Sequence, residues 1–277
     1  MINSIVADFR NSISFNSANE VALFRALAAS IVKYSRSTFI DETHGGNVCN
    51  VCFTSATGKI ETCEIADLLV VSVAPDHTSL RATFWQVKKQ AVSKWLNVTS
   101  SGSQLDFKGQ FNQWDLLSRR PDVSGVASFT PPTDILSSFS SSSIGSFGIF
   151  YEKASMIEVA HSIAEFIACP SPAAKHPTLS VNGLLNKYHF SQAEVITRSD
   201  LPAFLSALFE FQVGALLDRS NSSHRWLASW VRLKVATSAP PESLRALDNF
   251  LDSQMSADIE VAKSPSGLSI LLVGAPK

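Results

Sequence analysis

The first strong periodicity runs from Ser17 to about Lys33. Glu20, Phe24, Leu27 and Ile31 share one stripe of a 3.6-residue repeat, which predicts an amphipathic helix. Ser17-Ala-Asn-Glu20 has the form of a capping box at its start. The pattern then changes to extended segments. Asn47 to Thr54 and Ile60 to Val73 predict two strands joined at a Ser55-Ala-Thr-Gly-Lys59 turn. Ala74-Pro-Asp-His-Thr78 breaks the second. Leu80 to Lys89, rich in Thr, Phe, Trp and Val, predicts a third strand. Phe107, Phe111, Trp114 and Leu117 recur at helical spacing and predict a helix over 104–118.

A Ser-rich loop, 137–146, precedes an apolar run, Phe147 to Tyr151, expected to be a buried fourth strand. A covering helix is expected over 155–167. Beyond Pro170 the pattern turns mainly helical. Helices are expected from Ser199 to about Leu217, with Pro202 in the first turn, from Ser223 to Val235, and from Pro241 to Asp252. The segments 259–261 and 268–273 read as a terminal hairpin. The expected organisation is an α/β domain over 1–169 and a mainly helical region over 170–277, for dimerisation or partner docking.

Composition narrows the class. The chain has 277 residues, 45% hydrophobic, with net charge -1, which excludes a disordered or collagenous polymer. No apolar run approaches the roughly 20 residues of a membrane helix, and the N-terminus lacks a basic-then-apolar leader. A cytoplasmic, reducing setting without membrane contact is the expectation. Cys49, Cys52, Cys63 and Cys169 are too few for a disulfide scaffold. Cys49-Asn-Val-Cys52 has metal-ligand spacing without a second ligand pair, so packing and a zinc module are both open.

Charge is uneven. Residues 81–120 carry Arg81, Lys88, Lys89, Lys94, Lys108, Arg119 and Arg120 against only Asp106 and Asp115. That basic window is a candidate phosphate-facing surface, with Lys89, Lys94, Lys108, Arg119 and Arg120 as nucleic-acid contacts. A solvated surface explains it equally well. Walker, GxGxxG, HExxH and GxSxG motifs are absent, and the six histidines show no paired spacing.

One constellation carries chemistry. Asp67 sits in an apolar run, Ile65-Ala-Asp-Leu-Leu-Val-Val71, where a carboxylate is costly without compensation. Gln86 and Lys88, two apart in the next strand, share a face. If those strands pair, Asp67, Gln86 and Lys88 converge, and Glu20 can join from the first helix. Asp67, the Gln86 side-chain oxygen and the Val87 carbonyl would suit a hard cation such as Mg2+ (Mn2+ as substitute), and Glu20 could hold a second ion or a metal-bound water. Lys88 could orient or deprotonate a water, or stabilise charge developing on a phosphate. Structural alternatives stay open: Glu20 as a capping carboxylate, and Asp67 and Lys88 as a buried ion pair.

Helix with Glu20, hairpin, Asp67 in an apolar strand, then Gln86-Val87-Lys88 and a helix resembles the PD-(D/E)xK nuclease superfamily, over roughly 15–167. Ala66 stands where that family often has Pro, and Gln86 where Asp or Glu is usual. The Gln-x-Lys form is similar to the Mrr-like restriction branch and to nuclease subunits of anti-phage systems. The resemblance implies a restriction-endonuclease-like, mixed four-stranded sheet flanked by helices. It also implies Mg2+-dependent cleavage of DNA, a role in bacterial defence, and a regulatory, NTPase or helicase partner. The competing expectation is a catalytically inactive fold that binds nucleic acid or scaffolds a complex.

Overall fold

The computed structural model describes residues 1–35, 38–41, 49–90, 104–172, 174–182, 186–190, 193–237, 239–251 and 268–274. In chain order the elements begin with α1 (Ile2–Ser12), α2 (Glu20–Tyr34), β1 (Phe39–Asp41), β2 (Asn50–Thr54), β3 (Ile60–Glu64), β4 (Leu68–Val73), β5 (Leu80–Gln90), β6 (Gln104–Lys108), α3 (Phe111–Arg119) and β7 (Val123–Gly125). There follow β8 (Gly145–Lys153), β9 (Met156–Ile163), β10 (Ile167–Ala168), β11 (Thr178–Asn182), β12 (Asn186–Phe190), β13 (Ala193–Ser199), α4 (Leu201–Phe209), β14 (Ala215–Leu216), α5 (Ser222–Val235), α6 (Pro241–Leu251) and β15 (Ser269–Val273).

The centre is a mixed nine-stranded sheet ordered β1-β15-β4-β5-β8-β9-β13-β12, with β14 also pairing β5. β4 runs antiparallel to β5, and β5 runs parallel to β8 across the connection that contains α3. Two three-stranded sheets, β10-β11-β6 and β3-β2-β7, lie beside it. The architecture is therefore mixed α/β with helices flanking the sheet, as expected. The sheet is larger than the four strands expected, and the region after residue 170 supplies β12 to β15 as well as α4 to α6. One sheet thus runs across position 169/170.

Alternation along the strands divides the core into two layers. Leu68, Val70, Trp85, Val87 and Phe150 face α1, α2 and α4. Leu69, Val71, Phe84, Phe147 and Ile149 face α3, α5, α6 and the two small sheets. Each large apolar side chain buried this way contributes roughly 1.5–3 kcal/mol. Trp85 stacks on Phe204, with ring centroids 5.4 Å apart. A Cβ at Gly148 would lie 2.1 Å from the Trp85 ring, so β8 can pass the indole only as glycine.

Several expected elements take another form. The segment 155–167 is mostly strand: β9 forms a hairpin with β8, turned by Ala154 and Ser155, both at positive φ. A strand covered on both faces loses its alternation and resembles a buried helix in sequence. Ala-Ser also lacks the Asn-Gly signature of such a turn. The expected 104–118 helix splits into β6 and α3, because residues 104–108 pair with β11. The expected strand 60–73 splits into β3 and β4, which belong to different sheets. β15 pairs parallel with β4 and antiparallel with β1 rather than closing a hairpin; 259–261 lies outside the described residues. The helix α1 was not foreseen; it packs Ile5, Val6 and Phe9 into the core.

Candidate active site

The site is built on a length mismatch between two strands. β5 has 11 residues, while β4 pairs it only from Leu80 to Trp85. Beyond Trp85 that edge of β5 has no ladder partner from β4, and buried backbone N–H groups must be satisfied in some other way. Side chains do so. Asp67, the residue before β4, accepts the Val87 N–H through Oδ2 at 2.6 Å. Glu20, the first residue of α2, accepts the Lys89 N–H through Oε1 at 2.9 Å. Alternate N–H groups leave a strand by the same edge, so both carboxylates line up along β5. The Val87 C=O leaves by that edge too.

Glu20 can reach β5 because another residue caps α2. Asn19 accepts the Ala22 N–H at 2.8 Å, and Ser17 donates instead to the Ser14 carbonyl. The expected Ser17–Glu20 capping box is therefore not formed. Lys88 Nζ lies 4.0 Å from Glu20 Oε2, and the Lys88 side chain is 10% exposed against 42% for Glu20. The pair is at the limit of ion-pair distance. Gln86, 1% exposed, donates its amide to Asp67 Oδ2, while its Oε1 is buried with no protein partner among the described residues.

Burial first, and neighbouring carboxylates second, set the electrostatics. Burial raises the Asp67 carboxyl above its ordinary value, opposed by the Lys88 ammonium and the Val87 N–H. Glu64, the last residue of β3, is pushed up to about 7, first by burial and then by the Asp67 charge, with Lys88 opposing. Sequence reasoning missed Glu64. The only available signal was a second acid three residues ahead of Asp67, inside what read as one continuous strand.

Asp67, Gln86, Val87, Lys88 and Glu20 are thus brought together at one sheet edge. The proposed nucleic-acid contacts are not brought there as a group. Lys89 turns to the other side of β5, where its ammonium donates to the Ala18 carbonyl at 2.8 Å and sits 4.6 Å from the Phe15 ring centroid. Lys108 donates to Thr178 Oγ1 at 2.9 Å. Arg119 is held by Asp115 at 2.8 Å and by the Thr54 carbonyl. Arg120 ends α3 in a left-handed conformation and donates to the Phe139 carbonyl at 2.8 Å. These contacts have structural roles, which a charge count along the chain cannot distinguish from a free basic surface. Lys94 lies outside the described residues.

The donor set can be weighed for a divalent cation. The orphaned Gln86 Oε1 and the Val87 carbonyl are acceptor oxygens beside the Asp67 carboxylate, and they fit a hard cation. Among the described residues no three His, Cys, Asp or Glu are grouped to hold an ion, so a cation here would need neutral oxygens beside Asp67 and Glu20. The Cys49-Cys52 pair gains no third ligand of these types there, and burial pushes the Cys49 thiol up to about 12. No helix among the described residues is long and apolar enough to cross a membrane. No protein-family model, curated protein or solved structure matches the chain.

Proposed function

We propose that the chain is a divalent-cation-dependent nuclease that hydrolyses phosphodiester bonds of DNA at the β5 edge. One observation carries the reading: Asp67, Gln86, Lys88 and Glu20, chosen from sequence for their chemistry, meet at one point of the fold. Asp67, Gln86 Oε1 and the Val87 carbonyl would hold the cation, with Glu20 beside them. The bound cation supplies positive charge to the scissile phosphate. Lys88, mostly buried and near Glu20, is placed to orient a water or to offset charge on the phosphoryl oxygens. Glu20, the more exposed carboxylate, can accept a proton from that water.

The test is cleavage of supercoiled, linear and single-stranded DNA with Mg2+, Mn2+ or chelator, by the wild type and Lys88→Ala. Metal-dependent cutting lost in a folded variant supports the reading. Cutting that survives both chelator and Lys88→Ala refutes it. A second reading has its own observation. Asp67 Oδ2 already accepts two protein donors and Glu20 Oε1 one, so the carboxylates complete a truncated strand edge. On that reading the fold is a non-catalytic binding or scaffolding subunit. It would bind DNA in chelator with only a salt dependence.

A further inference from the structure

A separate cavity of about 540 Å3 opens near the other end of β5. Its walls include Thr78 and Ser79 just before β5, Ser138, Leu217 after β14, and Arg219, His224 and Phe250. Leu80 and Lys88 are eight residues apart on an extended strand, so the cavity is roughly 25 Å from the carboxylate edge.

Its unsatisfied polar groups can act as donors. His224 is 3% exposed and stacks on Phe139 with ring centroids 3.8 Å apart. Its Nδ1 accepts the Asp218 N–H at 2.8 Å, which fixes the ring proton on Nε2. Burial lowers the His224 pKa, in keeping with a neutral ring. Among the described residues the buried Nε2–H has no protein acceptor, and the buried Ser138 Oγ has no partner. An unsatisfied buried donor costs roughly 1–3 kcal/mol. Asn221 caps α5 beside them by accepting the Ser223 and His224 N–H groups, so the positive end of that helix lies at the same wall. The Arg219 guanidinium donates to the Thr78 carbonyl through one terminal nitrogen and sits 5.5 Å from the Phe250 ring centroid. Asp218 and Asp134 bring opposing charge near His224, but Asp218 Oδ1 is turned onto its own loop, accepting the Ser220 N–H and hydroxyl at 2.8 Å each, and Asp134 Oδ1 accepts the Ser223 hydroxyl.

We propose that this cavity binds a small organic phosphate, whose phosphoryl oxygens accept from His224 Nε2–H, Ser138 and Arg219. Two buried donors, a guanidinium and a helix N-terminus call for an acceptor-rich anion. The volume falls within the roughly 300–1,000 Å3 of ligand pockets and exceeds the needs of inorganic phosphate. Leu217 and Phe250 give the organic part an apolar wall.

The test is calorimetric titration with AMP, adenosine and inorganic phosphate. Chelator is present so that a cation at the carboxylate edge cannot hold the phosphate. The expected result is AMP binding with Kd below about 1 mM, about tenfold tighter than adenosine or inorganic phosphate. Ser138→Ala and Arg219→Gln should each weaken it about three- to tenfold. His224→Phe should abolish it; that variant also loses the contact to Asp218, so its fold is checked by circular dichroism. The two other variants keep the test decisive if it unfolds. Three outcomes overturn the proposal: no AMP binding, affinity unchanged in Ser138→Ala and Arg219→Gln, or adenosine binding as tightly as AMP. Inorganic phosphate binding as tightly as AMP overturns the assignment of an organic ligand.

Discussion

Replacing Glu64 by Gln is expected to stabilise the cation-free protein, and to do so more at pH 8 than at pH 5. The Glu64 carboxyl moves from 4.5 to about 7 on folding, through burial and the neighbouring Asp67 charge. The folded state therefore holds this proton more tightly than the unfolded chain. Between about pH 4.5 and 7 it binds more protons, so stability falls as pH rises through that window. The penalty is absent well below pH 4.5 and complete above about pH 7. At 1.36 kcal/mol per pKa unit the shift corresponds to about 3.4 kcal/mol. Glu64 is only partly buried, and solvent screening reduces this to roughly 1–2 kcal/mol. For a chain of this length that is a rise of roughly 2–4 °C in Tm. Gln keeps the shape without the charge. Thermal melts of both proteins in chelator, from pH 4.5 to 8, isolate the effect as the difference in Tm, because every other titrating group cancels to first order. A difference that stays flat, or shrinks with rising pH, would show that Glu64 does not carry this charge stress.

Asp67→Ala should cost roughly 2–4 kcal/mol in urea unfolding, because the Val87 N–H and the Gln86 amide lose their acceptor; Asp67→Asn should cost less. Chelator should lower the Tm of cation-loaded wild type and leave Asp67→Asn unmoved, as read by differential scanning fluorimetry. Burial holds His161 down to about 3, so stability is lost as pH falls from 6.5 toward 3; His161→Phe should flatten that limb of the acid-unfolding curve. Gly148→Ala should destabilise by roughly 1–3 kcal/mol and redshift Trp fluorescence, since the new methyl displaces Trp85. Arg119→Met should destabilise by roughly 1–2 kcal/mol in urea unfolding, because Asp115, 1% exposed, then keeps only the Ala56 N–H as donor.

Much of the candidate site was legible from local pattern. A carboxylate in an apolar run is costly, and two polar side chains two apart on a strand share a face, so sequence alone marks Asp67, Gln86 and Lys88. The helices α2, α5 and α6 were legible for the same local reason, a repeat near 3.6 beside a capping residue or proline. Other features depended on pairing between distant segments. β9 looked helical because both its faces are covered. Arg119 and Arg120 looked like free cations because their acceptors are Asp115, Thr54 and Phe139, and no sequence spacing announces that Thr54 and Phe139 lie beside them.

The sequence by itself determined the mixed α/β class and the residues able to do chemistry, since both follow from periodicity and side-chain type over short windows. Only the tertiary structure decided that β4 stops short of the end of β5. That mismatch leaves the Val87 and Lys89 N–H groups to Asp67 and Glu20, and so places the carboxylates together. Backbone donors need partners wherever they are buried, and which group supplies one is settled by how strands of unequal length meet.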